Sequence, residues 1–264
     1  MQLDTEKMIA KTDGHVGWMI YNNPDTHNAI SLEMQEAIPV ILDTYQADDA
    51  IRVVVMRGAG DRSFVSGADI SEFESKRSSP EARKLFDEAG SQTAAAFTRL
   101  EKPLIAMING YCIGGGLATA MQADIRIASD DAQFGIPAAR LGLGYGFGSV
   151  RALVALVGPA YAAEILLTAQ RFSAGEALEM GLINRVVPKD TLEKTVVGIA
   201  NSIAANAPLT NKASKFAIRQ ALRDPEQRDL ETSARYVEDC FRSQDYVEGR
   251  TAFVEKRAPR FRGT

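Results

Sequence analysis

Two glycine corners hold the residues whose types and spacing suggest chemistry. One lies in Lys102-Pro103-Leu104-Ile105-Ala106-Met107-Ile108-Asn109-Gly110-Tyr111-Cys112-Ile113-Gly114-Gly115-Gly116-Leu117. The apolar run, with Pro103 at its entrance, reads as a buried strand. Asn109-Gly110 signals a turn. Three glycines follow, and Leu117 to Met121 read as helix. Glycine lets another molecule approach the backbone closely. The N–H groups at a helix start have no internal partner and carry the positive end of the dipole. Such a corner fits an anion or oxyanion site, and it fits equally the tight packing of a strand on a helix. The second corner, Phe64-Val65-Ser66-Gly67-Ala68-Asp69-Ile70, follows the strong strand pattern of residues 53–58. Two N–H groups, one from each corner, can grip a single oxygen that carries negative charge.

The remaining chain must position these corners. Residues 8–12 and 16–21 read as a β-hairpin closed at Asp13-Gly14, followed by a loop at residues 22–25. Ser31 is the expected N-cap of a helix with Leu32, Ile38, Ile41 and Leu42 on its apolar face. Residues 71–80 read as a polar surface loop, with Pro80 starting a helix to about Leu100. Short strands are expected at 125–128 and 133–135. The glycine-alternating stretch 141–148 precedes a helix and lacks the spacing and βαβ context of a dinucleotide fingerprint. Ser173 caps a short helix ending at Met180-Gly181, and Val186-Val187-Pro188 is extended. Four helices follow, at about 191–206, 209–222, 229–241 and 245–256, with Asn206-Ala207-Pro208 as a break.

A chain of 264 residues, 45% hydrophobic and 24% charged, can form one large domain or a domain with an appendage. The formal net charge of -4 disfavours a nucleic-acid partner. Cys112, Cys240, His15 and His27 form no zinc spacing and no disulfide framework, so no metal is expected and a reducing, cytoplasmic setting is the simplest. Residues 1–10 show no signal-peptide core. No apolar run approaches the roughly 20 residues of a membrane span, so no membrane partner is expected. His27, Glu72 and Glu74 read as solvated surface.

Taken together, Ser66-Gly67-Ala68-Asp69 and Asn109-Gly110-Tyr111-Cys112-Ile113-Gly114-Gly115-Gly116 resemble the two signature segments of the crotonase (enoyl-CoA hydratase/isomerase) superfamily. The resemblance covers nearly the whole chain. It includes an asparagine at the position of Asn28 and the tail residues Asp245, Glu248-Gly249 and 252–257. It implies an α/β fold: a spiral of ββα units over residues 1–200, with a C-terminal helical oligomerisation and lid region over 201–264. It also implies a homotrimer, often paired into a hexamer. The backbone N–H groups of Ala68 and Gly115 match the family's oxyanion hole, which holds the thioester oxygen of an acyl-CoA as an enolate forms. Ser66, Gly67, Asp69, Ile70 and Gly114 correspond to the stretch bordering CoA. Phe253 and Lys256 match tail positions that cover CoA from a neighbouring subunit; outside the resemblance, Lys256 is an ordinary surface lysine. Coenzyme A enters as part of the substrate, and no cofactor is implied.

Departures from the family pattern carry as much information. Hydratases of the family use two glutamates, and Ala118 and Ala138 stand at those positions. Alanine can neither take nor give a proton, a task that contributes about 10²–10⁴-fold per group. Gly146 stands where dienoyl isomerases carry an aspartate. Tyr145 stands where malonyl-type CoA decarboxylases of the superfamily carry a tyrosine, and they lack both glutamates too. Its other reading is a packing aromatic with a satisfied hydroxyl. Decarboxylation needs no base, because the substrate brings its own leaving carboxylate. The expectation is therefore an acyl-CoA enzyme working through a stabilised enolate, with decarboxylation leading. The alternatives are a weak hydratase or isomerase using another acid, and a non-catalytic acyl-CoA-binding subunit. RNA binding, found in one family branch, is disfavoured by the acidic balance.

Overall fold

The repeating pattern is strand, strand, helix, with one strand of each pair in each of two sheets. The computed structural model describes residues 1, 3–69 and 80–264, and the side chains from 84 onward in the latter segment. Strands β1 (Met8–Asp13) and β2 (Val16–Tyr21) form the expected hairpin, antiparallel from Met8↔Tyr21 to Asp13↔Val16. Helix α1 (Leu32–Ala47) follows, capped as expected by Ser31, whose hydroxyl accepts from Met34 N at 3.4 Å. The repeat then begins. Strands β3 (Val53–Gly58) and β4 (Ser63–Val65) precede helix α2 (Pro80–Arg99). Strands β5 (Leu104–Ile108) and β6 (Tyr111–Ile113) precede helix α3 (Gly115–Ala120). Strands β7 (Ile125–Ser129) and β8 (Gln133–Gly135) precede helix α4 (Phe147–Thr168).

The first strand of each pair joins a six-stranded sheet, β1-β2-β3-β5-β7-β10, with β10 at Arg185–Val187. The second joins a four-stranded sheet, β4-β6-β8-β9, with β9 at Phe172–Ser173. The β3-β5-β7 and β4-β6-β8 pairings are all parallel. This is the expected α/β spiral. Its six-stranded sheet is covered on both faces, which is why its strands read as continuous apolar runs. Val54 and Met56 of β3, with Leu104, Ala106 and Ile108 of β5, enter the main core. Val53, Val55, Ile105 and Met107, alternating with them, pack under helix α6 (Leu192–Ala205).

Three expectations are corrected here. Helix α6 runs unbroken across residue 200, and its Ala200 and Ala204 belong to the same cluster as Trp18 and Val55. The spiral core therefore extends through α6, and the appended helices are α7 (Pro208–Ala221), α8 (Leu230–Arg242) and α9 (Gln244–Glu255). Helix α4, with α5 (Ala174–Glu179) following β9, is long and apolar enough to cross a bilayer by length and composition, against the expectation of no such run. It is interrupted at Gly158 (φ 74°, ψ 169°), and its Leu153, Val157, Ala162 and Ile165 are buried in the main core. His27 is half-buried rather than solvated: its ring meets Tyr111 edge-on at 5.7 Å, and its Nε2 lies 3.2 Å from Arg62. Residues 71–79, including Glu72 and Glu74, lie outside the described residues.

Candidate active site

Strands β4, β6 and β8 are parallel neighbours, so the corners that follow them lie side by side. Residues 66–69 form the first corner, Gly114-Gly115 the second, and Ile136-Pro137-Ala138 the third. Hydrogen bonds lock the set together. Gly114 N donates to Gly135 O at 2.8 Å, joining the second corner to β8. Ile30 N donates to Gly67 O at 2.8 Å and Asp69 N to Ile30 O at 3.0 Å, so the approach to α1 is paired with the first corner. Ser66 N donates to His27 O at 3.1 Å, and its hydroxyl donates to Thr26 O at 3.2 Å.

Asn28 sits behind this arrangement, fully buried with φ 58°. Its Nδ2 donates to Ala59 O at 3.0 Å and Ser63 O at 2.9 Å, and its Oδ1 accepts from Asn23 N at 3.0 Å. It ties the start of α1 to the turn between β3 and β4. Asparagine tolerates the left-handed region better than most residues, and its carboxamide supplies donors and an acceptor together.

The corners bring Ala68 and Gly115 together. A Cβ placed on Gly115 would lie 3.5 Å from Ala68 N and 3.6 Å from the Gly67 carbonyl carbon. Neither amide donates a hydrogen bond among the described residues. Gly115 is exposed. Two unengaged N–H groups on adjoining corners are the kind of pair that can share one oxygen acceptor. The turn into α3 needs Gly114 at φ 56°, ψ −117°, a conformation a Cβ disfavours.

Both residues line a cavity of about 270 Å³ between α1, α2 and α3. Its walls include Ile30, Ile38, Phe86 and Phe97 on the apolar side and Gln35, Thr93, Thr119 and Gln122 on the polar side. Ala118 is also on the wall. No Asp, Glu, His, Cys, Lys or Arg lines this cavity among the described residues. Nor does any group of three or more His, Cys, Asp or Glu there form a metal-holding cluster.

The other expected site residues fall elsewhere. Ser66, Gly67 and Asp69 border the Ala68 corner, and Ile70 lies outside the described residues. Tyr145 is not on the cavity wall; it packs against the main core. Its hydroxyl is buried without a partner among the described residues, and burial pushes the phenol up to about 12, so it carries its proton at neutral pH. Tyr145 is thus a packing aromatic, but one whose hydroxyl is not satisfied within the described residues. Ala138 is half-buried, and its carbonyl accepts from Leu143 N at 3.0 Å. Phe253 lines a separate, larger apolar cavity formed by α7, α8 and α9, and Lys256 ends α9 at φ 54°. Neither lines the cavity that holds Ala68 and Gly115.

Gln35, Thr93 and Gln122 were not among the residues the sequence marked. Gln35 follows buried Met34 and precedes buried Ile38 by three, which places it at the edge of the inward face of α1; nothing in its type distinguishes it from a surface glutamine.

The fold is an α/β spiral whose two glycine corners each present an unengaged amide among the described residues. The family model for enoyl-CoA hydratase/isomerase matches residues 11–264, and the chain belongs to that family, within the crotonase superfamily. It is 38% identical to a short-chain-enoyl-CoA hydratase of Clostridium acetobutylicum, over 97% of each chain. It is 36% identical to a crotonyl-CoA hydratase of Syntrophomonas wolfei, over 97% of this chain and 98% of that one. The crystal structure of an enoyl-CoA hydratase from Bacillus anthracis superposes with a TM-score of 0.91 at 31% identity, over 98% of this chain and all of the other (100%). The protein is an enzyme of this superfamily acting on an acyl-CoA thioester, with coenzyme A belonging to the substrate.

Proposed function

We propose that this enzyme decarboxylates a malonyl-type CoA thioester through an enolate held by the N–H groups of Ala68 and Gly115. The observation that carries the reading is a cavity with two unengaged amides and no ionisable group on its described walls. The described walls can stabilise an oxyanion but offer no side chain to move a proton. In the proposed reaction the bond from Cα to the carboxylate breaks. Its electron pair forms the C=C of the enolate, the thioester oxygen takes the negative charge, and CO₂ leaves. Water then returns a proton to Cα. Preformed donors at the oxyanion cost no reorganisation during the step. The Ser66–Asp69 corner and Gly114 border CoA. Tyr145 stays in the reading through the resemblance alone: its hydroxyl is buried off the cavity wall, so donating to the departing carboxylate would require its loop to shift on substrate binding.

Hydration is the second reading, favoured by the 38% identity to a short-chain-enoyl-CoA hydratase. One screen separates the two. Purified enzyme is offered crotonyl-CoA, with loss of enoyl absorbance as readout, and methylmalonyl-CoA, with CO₂ release as readout. The expected result is CO₂ release, with hydration well below the ~10 s⁻¹ of a typical enzyme. Tyr145→Phe is expected to slow CO₂ release about tenfold, the scale of one hydrogen bond to a charged group. Rapid hydration, or no CO₂ from malonyl-, methylmalonyl- or ethylmalonyl-CoA, sinks the decarboxylase reading. An unaffected Tyr145→Phe variant removes only the tyrosine from it.

The same reading includes a homotrimer or a hexamer of paired trimers, with Phe253 and Lys256 serving a neighbouring subunit. Phe253 is 85% exposed and Val254 80% exposed, beside Phe241 and Val247. A cluster of this kind marks an interaction surface. Light scattering on a sizing column should return at least three chain masses, and a single-chain mass at micromolar concentration overturns the assembly.

A further inference from the structure

The Ala68 amide is aimed by the peptide it belongs to. The Gly67–Ala68 bond is trans, so the Gly67 carbonyl and the Ala68 N–H point in opposite directions. Gly67 O accepts from Ile30 N at 2.8 Å, and Asp69 N donates to Ile30 O at 3.0 Å. The Ala68 N–H therefore points away from Ile30, and a Cβ on Gly115 would lie 3.5 Å from its nitrogen. Any roll of Ile30 turns that peptide and swings the N–H with it. Ile30 follows closely on Asn28, whose carboxamide is fully used. Its Nδ2 donates to Ala59 O at 3.0 Å and Ser63 O at 2.9 Å, and its Oδ1 accepts from Asn23 N at 3.0 Å. The Asn28 backbone N–H donates to Asn23 O at 2.7 Å. Ser63 opens β4, the strand that runs into the Ala68 corner. A Cβ on Gly58 would lie 2.6 Å from Asn28 Nδ2, so the carboxamide is seated tightly against the end of β3.

We infer that Asn28 is a positioning residue for the oxyanion-holding pair: it keeps residues 28–30 in register with β4, and Ile30 then aims the Ala68 N–H. The inference rests on the acyl-CoA reading above and names what sets the geometry of its site. Asn28 does not line the cavity, whereas Ile30 does. A residue that merely packed here could be replaced by another of similar volume. Asn28 instead supplies two donors to the β3–β4 turn, an acceptor to the loop at Asn23, and a left-handed backbone at φ 58°. The brace has two ends. The carboxamide grips the start of β4 at Ser63, and Ile30 grips the continuation of that strand at Gly67 and Asp69. Either contact alone would leave residues 28–30 free to pivot. Donors aimed at developing charge lose their effect steeply when displaced, and a misplacement of about 1 Å can cost ~10² in rate.

The test reads the thioester carbonyl directly. Butyryl-CoA with an isotopic label at that carbonyl is bound to wild-type enzyme and to two variants, and its stretching band is followed by infrared difference spectroscopy. Asn28→Gly keeps a residue at ease at positive φ and removes the carboxamide. Asn28→Asp keeps the shape and the acceptor and removes both donors. In wild-type enzyme the two N–H donors should lower the band below that of free butyryl-CoA. In the variants the band should move back towards the free value. Their kcat, on whichever thioester the wild type converts, should fall about 10–10²-fold while KM changes little. A brace that served stability alone would lower the melting temperature and leave the band and the kcat per folded molecule at their wild-type values; that result overturns the inference. So does a folded variant that no longer binds butyryl-CoA, and so does failure of both variants to fold. Wild-type results test the reading beneath. If millimolar butyryl-CoA does not bind, the acyl-CoA reading falls and this inference with it. If it binds without a lowered band, the Ala68 and Gly115 amides do not hold the thioester oxygen, and Asn28 has nothing to position. A lowered band that both variants retain removes only the role of Asn28.

Discussion

Gly115→Ala is expected to leave the protein folded and to lower turnover by on the order of 10²–10³. The added methyl has room in the fold. It would lie 3.5 Å from Ala68 N and 3.6 and 3.7 Å from Gly67 backbone atoms, all ordinary contacts. Gly115 is exposed, is not at positive φ, and opens a helix in which alanine is the better residue. The melting temperature should move by less than ~4 °C, the shift expected for about 1 kcal/mol in a chain of this size. Function is another matter. If the thioester oxygen sits between these two amides as proposed, a methyl carbon 3.5 Å from Ala68 N crowds it. The oxygen must then abandon one donor or retreat from both, and the enolate loses its stabilisation where charge develops. The check pairs a thermal melt with kcat/KM on whichever thioester the wild type converts. Full turnover in a folded variant would show that these amides do not hold the reacting oxygen.

Gly116→Ala, one residue along, is expected to do the reverse and attack the fold. Gly116 is buried, and a Cβ there would overlap the carbonyl of Val65 at the end of β4. Both sides of that contact are backbone, so no rotamer change relieves it; α3 or β4 must move. The cost is about 3 kcal/mol or more, at or beyond the upper range for overpacking a core. At ~2–4 °C per kcal/mol the melting temperature should fall by roughly 6–12 °C. Moving β4 also displaces the Ser66–Asp69 corner, so turnover per folded molecule falls as well. A variant that melts with the wild type would mean that α3 slides freely on β4. The two substitutions add the same methyl to adjacent residues; one meets the open side of the corner and the other its packed side.

Local rules explain what was legible beforehand. Asp13-Gly14 closes a hairpin, Ser31 and Ser173 cap helices, and Pro80 starts one, because turn and cap energetics reside in a few consecutive residues. Runs such as Val53-Val54-Val55-Met56 announce strands covered on both faces. The strand Tyr111–Ile113 was passed over because three residues between a turn and a glycine triplet carry no period; pairing with β4 and β8 on either side makes it a strand. His27 looked like surface because its burial comes from Tyr111 and Arg62, remote in sequence. A helix is expected after residue 148, but not its full apolar length, because Gly158 and Pro159 read as its end; the chain kinks there and resumes as helix to Thr168.

The sequence by itself presented two glycine corners in an order that resembles the crotonase superfamily, and that resemblance is what makes Ala118 and Ala138 departures from an expected carboxylate pair. The tertiary structure decided which groups meet. Parallel pairing of β4 with β6 sets Ala68 beside Gly115, although 46 residues of chain separate them. Closure of α1 and α2 over α3 makes a cavity with Ala68 and Gly115 on its wall, and leaves Tyr145 off it. A residue's type records what it can bond to. Its partners, and the water excluded around it, are set by segments far away in the chain, and only the folded structure specifies those.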